Sequence, residues 1–159
     1  MKKLERLIGK SLREQGLKLA LAESCTGGLL SSMITDVAGS SDYFLGSVVA
    51  YDNGVKQTEL GVKATTLKKY GAVSKETVLE MARGVRKRLQ ADISAAITGI
   101  AGPGGGSHEK PVGLVFIAVS KGRTTEVQRF VFKGGRKSIK KQSAEAALSM
   151  LAEALGIKS

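Results

Sequence analysis

Several residue types are scarce in this sequence, and each scarcity argues against a kind of site. The 159 residues include one cysteine, Cys25, and one histidine, His108. A lone cysteine excludes an internal disulfide and is typical of a reducing compartment, so we expect a cytoplasmic protein. A lone histidine excludes a histidine-rich metal site. Aromatic residues make up 4% of the chain, which disfavours a surface on which single-stranded nucleic acid would stack.

Long apolar runs are absent as well. No run approaches the ~20 residues that a membrane-spanning helix needs, and charges are spread through the N-terminal segment, unlike in a signal peptide. Apolar residues make up 42% of the chain and charged residues 25%, as is usual for globular proteins. The length suits one domain with its own hydrophobic core. We therefore predict a single domain over residues 1–159 that does not bind membranes.

Acidic residues are few compared with basic ones. The chain has 25 lysines and arginines against 14 aspartates and glutamates, a formal net charge of +11. Such an excess fits nucleic acid, an anionic membrane or a small anionic ligand. The basic residues are spread along the chain, and no helix-turn-helix, zinc or RNA-binding signature accompanies them. We favour a solvated basic surface over a nucleic-acid footprint.

The apolar pattern predicts an α/β fold. Strands alternate with helices early in the chain and follow one another late, which favours a three-layer α/β/α domain with a mixed, mostly parallel sheet. The pattern predicts helices over 2–15, 29–37, 55–60, 74–89 and 139–155, and strands over 17–22, 43–51, 93–98, 112–120 and 124–132.

Two unusual loops follow predicted strands, AESCTGG at 22–28 and TGIAGPGGG at 98–106. In open α/β sheets, ligands bind beyond the carboxyl ends of the strands. Glycines let the backbone approach a ligand closely, and free N–H groups at a helix start attract anions. The first loop also offers the hydroxyl groups of Ser24 and Thr26. We expect both loops to border one crevice, although the glycines match neither the Walker loop nor the dinucleotide motif.

A serine nucleophile in this crevice needs a base. His108 lies in a predicted polar loop and is interpreted as solvated, so a lysine with a lowered pKa is the alternative. Lys56 is the candidate because it follows the predicted strand end at Tyr51 by five residues. From spacing alone a surface lysine remains the commoner interpretation. Cys25 is interpreted as a small buried side chain under the turn and not as a nucleophile.

Five segments together, AESCTGG, GSSDYFLGSVVAYDNGVK, GAVS, TGIAGPGGG and KPVG, closely resemble the CinA carboxy-terminal domain family in order and spacing. The similarity extends over residues 4–155. Members of this family are nicotinamide mononucleotide deamidases, which release ammonia and nicotinate mononucleotide without a metal. The resemblance therefore implies a stand-alone, homodimeric deamidase that needs no cofactor.

The resemblance also assigns roles to particular residues. It implies that Ser24, Tyr51 and Lys56 are catalytic. Gly135 and Lys140 depart from the family's usual Gly-Asp-Arg and Ile-Arg, and Leu114 replaces a more usual threonine. Substrate binding is predicted for Thr26, Gly27, Gly28, Thr98, Gly99, Gly102, Gly105 and Arg136.

Our hypothesis for the mechanism is attack by Ser24 on the carboxamide, with neutral Lys56 as base and Tyr51 assisting. The oxyanion would be bound by N–H groups at Gly27 and Gly28 or in the Gly99–Gly102 turn. Direct attack by water, with Ser24 orienting the amide, is an alternative. A different class of function is a non-catalytic nucleotide- or nucleic-acid-binding module linked to competence or DNA repair.

Overall fold

The computed structural model describes residues 2–158. Within this range the chain forms six α-helices and five β-strands, in the order that the apolar pattern predicts with one further helix. The elements are α1 (Lys2–Gln15), β1 (Leu19–Glu23), α2 (Leu29–Thr35), β2 (Phe44–Val49), α3 (Asn53–Leu60), α4 (Ala64–Tyr70), α5 (Lys75–Leu89), β3 (Ile93–Gly99), β4 (Leu114–Lys121), β5 (Thr124–Val131) and α6 (Arg136–Ala154).

The five strands form one mixed sheet in the order β2-β1-β3-β4-β5. β1 pairs in parallel with both β2 and β3, whereas β3–β4 and β4–β5 are antiparallel pairs. Four of the five strands therefore run in the same direction and β4 runs against them. The predicted mixed α/β architecture is confirmed, and the carboxyl ends of β1, β2 and β3 meet at one edge of the sheet.

Helices cover both faces of the sheet. Along β1, Leu19 and Leu21 pack into a core with α1, α2 and α6, while Ala20 and Ala22 pack into a second core with α3 and α5. α5 packs so closely on the end of α3 that no side chain fits at Gly84. A Cβ atom at that position would lie 1.8 Å from the Leu60 carbonyl oxygen. This close packing holds α3, the helix that carries Lys56, against the domain.

Several element ends differ from the sequence prediction by one or two residues, and two elements differ by more. α4 has a single buried residue, Thr66, and therefore no apolar stripe that a pattern search could detect. Its start is stabilised by Glu80 of α5, whose carboxylate accepts hydrogen bonds from the Lys63 N–H and the Thr66 hydroxyl. α6 begins at Arg136, three residues before the predicted start at Ile139. The apolar pattern did not predict this first turn, because its three residues are polar and exposed.

The helices that the structure describes include none whose length and apolar character would allow it to cross a membrane.

Candidate active site

A cleft of about 210 Å³ lies where the carboxyl ends of the three parallel strands meet. Segments that are far apart in sequence converge there: the loop after β1, the start of α3, the end of β3 and the first residue of α6. Its walls are formed by Ser24, Cys25, Tyr51, Asn53, Lys56, Ala72, Val73, Thr98, Gly99, Ala101 and Arg136.

Lys56 and Ser24 form a buried pair on one side of the cleft. The Lys56 side chain is 1% exposed, and its Nζ lies 3.2 Å from Ser24 Oγ. Nζ also donates to the backbone carbonyl oxygens of Ala50, at 2.8 Å, and Tyr51, at 3.3 Å. Among residues 2–158 no carboxylate lies within 4.0 Å of Nζ. Either form of the amine can make these contacts, because an ammonium group donates to all three oxygens, and a neutral amine donates to the two carbonyl groups and accepts from the hydroxyl group.

Burial favours the neutral form of this amine. Removal from water lowers the pKa of Lys56, and the negative charge of Asp52 opposes part of that effect. Asp52 itself caps α3, because its carboxylate accepts a hydrogen bond from the Gly54 N–H at 2.7 Å. The cap fixes the helix start one turn before Lys56 and so directs the amine toward Ser24.

Arg136 lies at the mouth of the cleft and joins two of its walls. Its guanidinium group donates to the Gly102 carbonyl oxygen at 2.8 Å and to the Tyr51 hydroxyl at 2.9 Å. Tyr51 is 60% exposed, so a bound molecule can reach both side chains. The Tyr51 hydroxyl thus bonds to Arg136, and the contact with Lys56 is made by the Tyr51 backbone.

Thr98 holds the back of the cleft. It is 1% exposed and donates a hydrogen bond from its hydroxyl to the Ala72 carbonyl oxygen at 2.9 Å. This bond ties the end of β3 to the segment before α5, so two walls keep a fixed separation. Gly99 follows Thr98 directly and also lines the cleft.

Other predicted substrate-binding residues do not line the cleft. Thr26 is fully buried, and its hydroxyl has no hydrogen-bond partner within the described range. The Gly27 N–H donates to the Ser24 carbonyl oxygen at 3.1 Å, and the Gly28 N–H donates to Glu23 at 3.2 Å. These two N–H groups are therefore already bonded. Gly102 and Gly105 lie in the neighbouring glycine-rich loop, which also carries the exposed His108.

The family model of the CinA C-terminal domain matches residues 1–155. The chain belongs to this family. It is 50% identical to the CinA-like protein of Syntrophomonas wolfei over 145 residues. These residues are 91% of this chain and 35% of that protein. The CinA-like protein of Thermotoga neapolitana is 50% identical over 149 residues, 94% of this chain and 36% of that protein. The chain thus spans about a third of the length of the curated relatives it matches.

Solved structures of the CinA family have the same fold over nearly the whole chain. The competence/damage inducible protein CihA from Agrobacterium tumefaciens is 42% identical with a TM-score of 0.93, covering 98% of this chain and 94% of that one. The competence damage-inducible protein A from Klebsiella pneumoniae is 33% identical with a TM-score of 0.94, covering 99% and 98%. The α/β architecture is therefore that of the CinA family.

In this CinA-family domain a further buried residue, Glu23, organises the loop that carries Ser24. Glu23 is fully buried at the end of β1, and its carboxylate accepts hydrogen bonds from the N–H groups of Gly28, Leu30 and Ser31 and from the Ser31 hydroxyl. The carboxylate thereby occupies the electropositive start of α2. Sequence reasoning missed this role, although an acidic residue that ends an apolar run directly before a helix is a usable signal.

Replacing Glu23 with glutamine is expected to lower the free energy of unfolding by about 1–3 kcal/mol, because the amide group turns an N–H₂ toward N–H donors. The conversion of glutamate to glutamine at exposed Glu14 of α1 is a matched control, since that side chain pairs only weakly with Lys10 at 3.7 Å. Chemical denaturation measures both variants. An equal, small change in the two would show that Glu23 does not hold the loop.

Cys25 also borders the cleft, beside Ser24. Burial raises the pKa of its thiol to about 11. The thiol therefore stays protonated near neutral pH, whereas nucleophilic attack needs a thiolate. This supports the interpretation of Cys25 as a small buried side chain.

Proposed function

We propose that this domain hydrolyses the carboxamide of nicotinamide mononucleotide to give nicotinate mononucleotide and ammonia. The observation that carries the proposal is the buried Lys56 amine, 3.2 Å from Ser24 Oγ and bonded to two carbonyl oxygens. A lysine placed in this way serves as a base for a serine nucleophile. The resemblance of the surrounding motifs to the family's deamidases supports the choice of substrate.

In the proposed first step Ser24 Oγ attacks the carboxamide carbon while its proton moves to neutral Lys56. The C–N bond then breaks, and Lys56 returns the proton to the leaving nitrogen, which departs as ammonia. In the second step water attacks the resulting ester and gives its proton to Lys56. The bond between the acyl carbon and Oγ breaks, and the proton passes back to Oγ, so the enzyme is restored.

Tyr51 is proposed to act through Arg136, to which its hydroxyl is bonded. The guanidinium group is the cation at the mouth of the cleft and would bind the phosphate of the substrate with bidentate hydrogen bonds. Thr98 and Gly99 would form the wall against which the nicotinamide ring lies.

The oxyanion is proposed to bind at the glycine-rich turn after β3. Of the two places that the sequence offers, the N–H groups of Gly27 and Gly28 are engaged within the loop. Ala101 lines the cleft, and its N–H has no acceptor among the residues that the structure describes. Loss of one such donor typically lowers the rate by about 10² to 10³-fold.

The test is ammonia release by the purified chain from three amides: nicotinamide mononucleotide, nicotinamide riboside and nicotinamide. Release from the mononucleotide, with much weaker release from the two compounds that lack phosphate, is the expected result, because Arg136 needs an anion. Equal release from all three would show that Arg136 does not recognise the phosphate of the substrate. No release from any would contradict the proposed reaction.

A non-catalytic binding module is the second candidate, and the net charge of +11 favours it. Nucleic-acid binding through this charge would weaken steeply with added salt, because bound cations are released from the phosphate backbone. A fluorescence titration with duplex DNA at two salt concentrations distinguishes the two functions.

A further inference from the structure

Asn53 lines the cleft around Ser24 but has no part in the proposed mechanism. It is the first residue of α3 and is exposed to solvent. Its side-chain amide makes no hydrogen bond to any other residue that the structure describes. The residue before it, Asp52, already caps the helix, so Asn53 is not needed for that purpose. The Asn53 amide is therefore available to a molecule that enters the cleft.

The helix α3 places Asn53 on the same side as the buried lysine. Residues three apart in an α-helix lie on one face, so Asn53 stands one turn before Lys56, and both side chains line the cleft. The two differ in depth, because Lys56 is 1% exposed and contacts Ser24, whereas Asn53 is exposed. The amide of Asn53 thus lies nearer to the mouth of the cleft than the lysine amine.

The burial of these side chains gives the cleft an inner end and an outer end. Ser24 and Lys56 form the inner end, and both are buried. Arg136 is at the outer end, bonded to the hydroxyl group of Tyr51, which is 60% exposed. Asn53 follows Tyr51 by two residues and precedes Lys56 by one turn, so it lies between the two ends. A molecule that reaches from one end to the other would pass beside Asn53.

The substrate of the proposed reaction has its ribose at this level. With the reacting carbon at Ser24 and the phosphate at Arg136, the ribose is the part that joins them. Its neighbouring 2′ and 3′ hydroxyl groups can each donate and accept a hydrogen bond. A side-chain carboxamide offers an N–H₂ donor and a carbonyl acceptor, so it can bond to both hydroxyl groups at once.

We propose that Asn53 is a specificity residue that binds the ribose hydroxyl groups of the substrate. This inference rests on the proposed function, because that function assigns the two ends of the substrate to Ser24 and Arg136. The ribose does not change during the reaction, so the contact is equally strong in the ground state and in the transition state. Such a contact strengthens binding and leaves the chemical step unaffected.

Steady-state assays of ammonia release by Asn53→Ala test this role. We expect the KM for nicotinamide mononucleotide to rise by about tenfold and kcat to change by less than about threefold, because uniform binding is lost. Gln57→Ala is the matched control, since it removes an exposed side-chain amide from the same helix but outside the cleft. The control should keep both constants.

Analogues of nicotinamide mononucleotide that lack the 2′ or the 3′ hydroxyl group identify the contact. The original chain should use at least one analogue with a kcat/KM about tenfold below that of the mononucleotide. Asn53→Ala should discriminate by less than about twofold, because the partner of the missing hydroxyl group is already gone. Discrimination that persists in Asn53→Ala, a KM that this variant leaves unchanged, or equal use of all three compounds by the original chain would each overturn the proposal.

Calorimetric titration with the reaction product, nicotinate mononucleotide, separates this contact from the proposed reaction. The product keeps the ribose and the phosphate, so Asn53→Ala should bind it about tenfold more weakly than the original chain, and Gln57→Ala should bind it equally well. This pattern without any ammonia release would remove the reaction and retain the ribose contact. Ammonia release with equal product binding by Asn53→Ala would retain the reaction and overturn the contact. Absence of product binding by the original chain would overturn the contact as well.

Discussion

Replacing Ser24 with alanine is expected to lower the rate of ammonia release from nicotinamide mononucleotide by about 10³-fold or more, as removal of a serine nucleophile does in other hydrolases. Ser24 Oγ is the hydroxyl oxygen in contact with the Lys56 amine, and the alanine variant leaves that amine without a nucleophile to activate. The fold should persist, because one hydroxyl group is lost and no cavity is opened. Steady-state assays of both proteins measure the effect.

The conversion of Ser32 to alanine is a matched control, since Ser32 is an exposed serine of the adjoining helix α2. It should retain full activity. If the Ser24 variant keeps near-normal turnover, both the nucleophilic and the orienting role of Ser24 are wrong. Mass spectrometry after rapid quenching separates those two roles, because a covalent acyl-enzyme forms only when Ser24 attacks.

Replacing Lys56 with methionine is expected to lower activity by about 10² to 10⁴-fold, the usual contribution of a general base. The same change is expected to stabilise the fold near neutral pH. Methionine fills a similar space and, unlike lysine, does not have to lose a proton when it is buried in a site that is 1% exposed. Activity and stability should therefore change in opposite directions, which parallel assays and chemical denaturation can measure.

The pH dependence of stability gives a second measure of Lys56. Burial lowers the pKa of Lys56 from its ordinary value of 10.5. Below the lowered pKa the folded chain carries a buried charge and is less stable. Between the lowered pKa and 10.5 the unfolded chain binds more protons than the folded one, so the stability rises with pH. The methionine variant should lack this rise.

Exposed Lys63 provides the control for both effects. Lys63→Met should keep the activity and the pH dependence of the original chain. A Lys56→Met variant that retained activity would show that Lys56 is not the base, and one that kept the rise of stability with pH would show that this rise does not come from Lys56.

Local patterns in the sequence predict most of the fold because most elements carry their own signal. β1 and β3 are apolar runs bounded by turn residues, and α5 has a serine cap, an apolar stripe and a basic last turn. The two loops at 22–28 and 98–106 also stand out by composition. Their meeting in one cleft follows from the parallel pairing of β1 with β3.

The remaining features depend on contacts between distant residues, which local patterns do not encode. Spacing alone does not distinguish Lys56 from a surface lysine, because its burial results from β2 lying next to β1. α4 is stabilised from outside by Glu80. The N–H groups of Gly27 and Gly28 look free in the sequence, yet both are bonded within the loop once Glu23 occupies the start of α2.

The position of α6 in the chain has a consequence for biosynthesis. Ser24, Lys56 and Thr98 all emerge from the ribosome before α6, which then covers one face of the sheet and adds Arg136 to the cleft. A nascent chain thus carries its proposed nucleophile and base early, without the helix that buries the apolar residues behind them. The cleft is completed by a helix that is translated after these residues, so a product terminated before α6 would possess the proposed reacting groups but no assembled site.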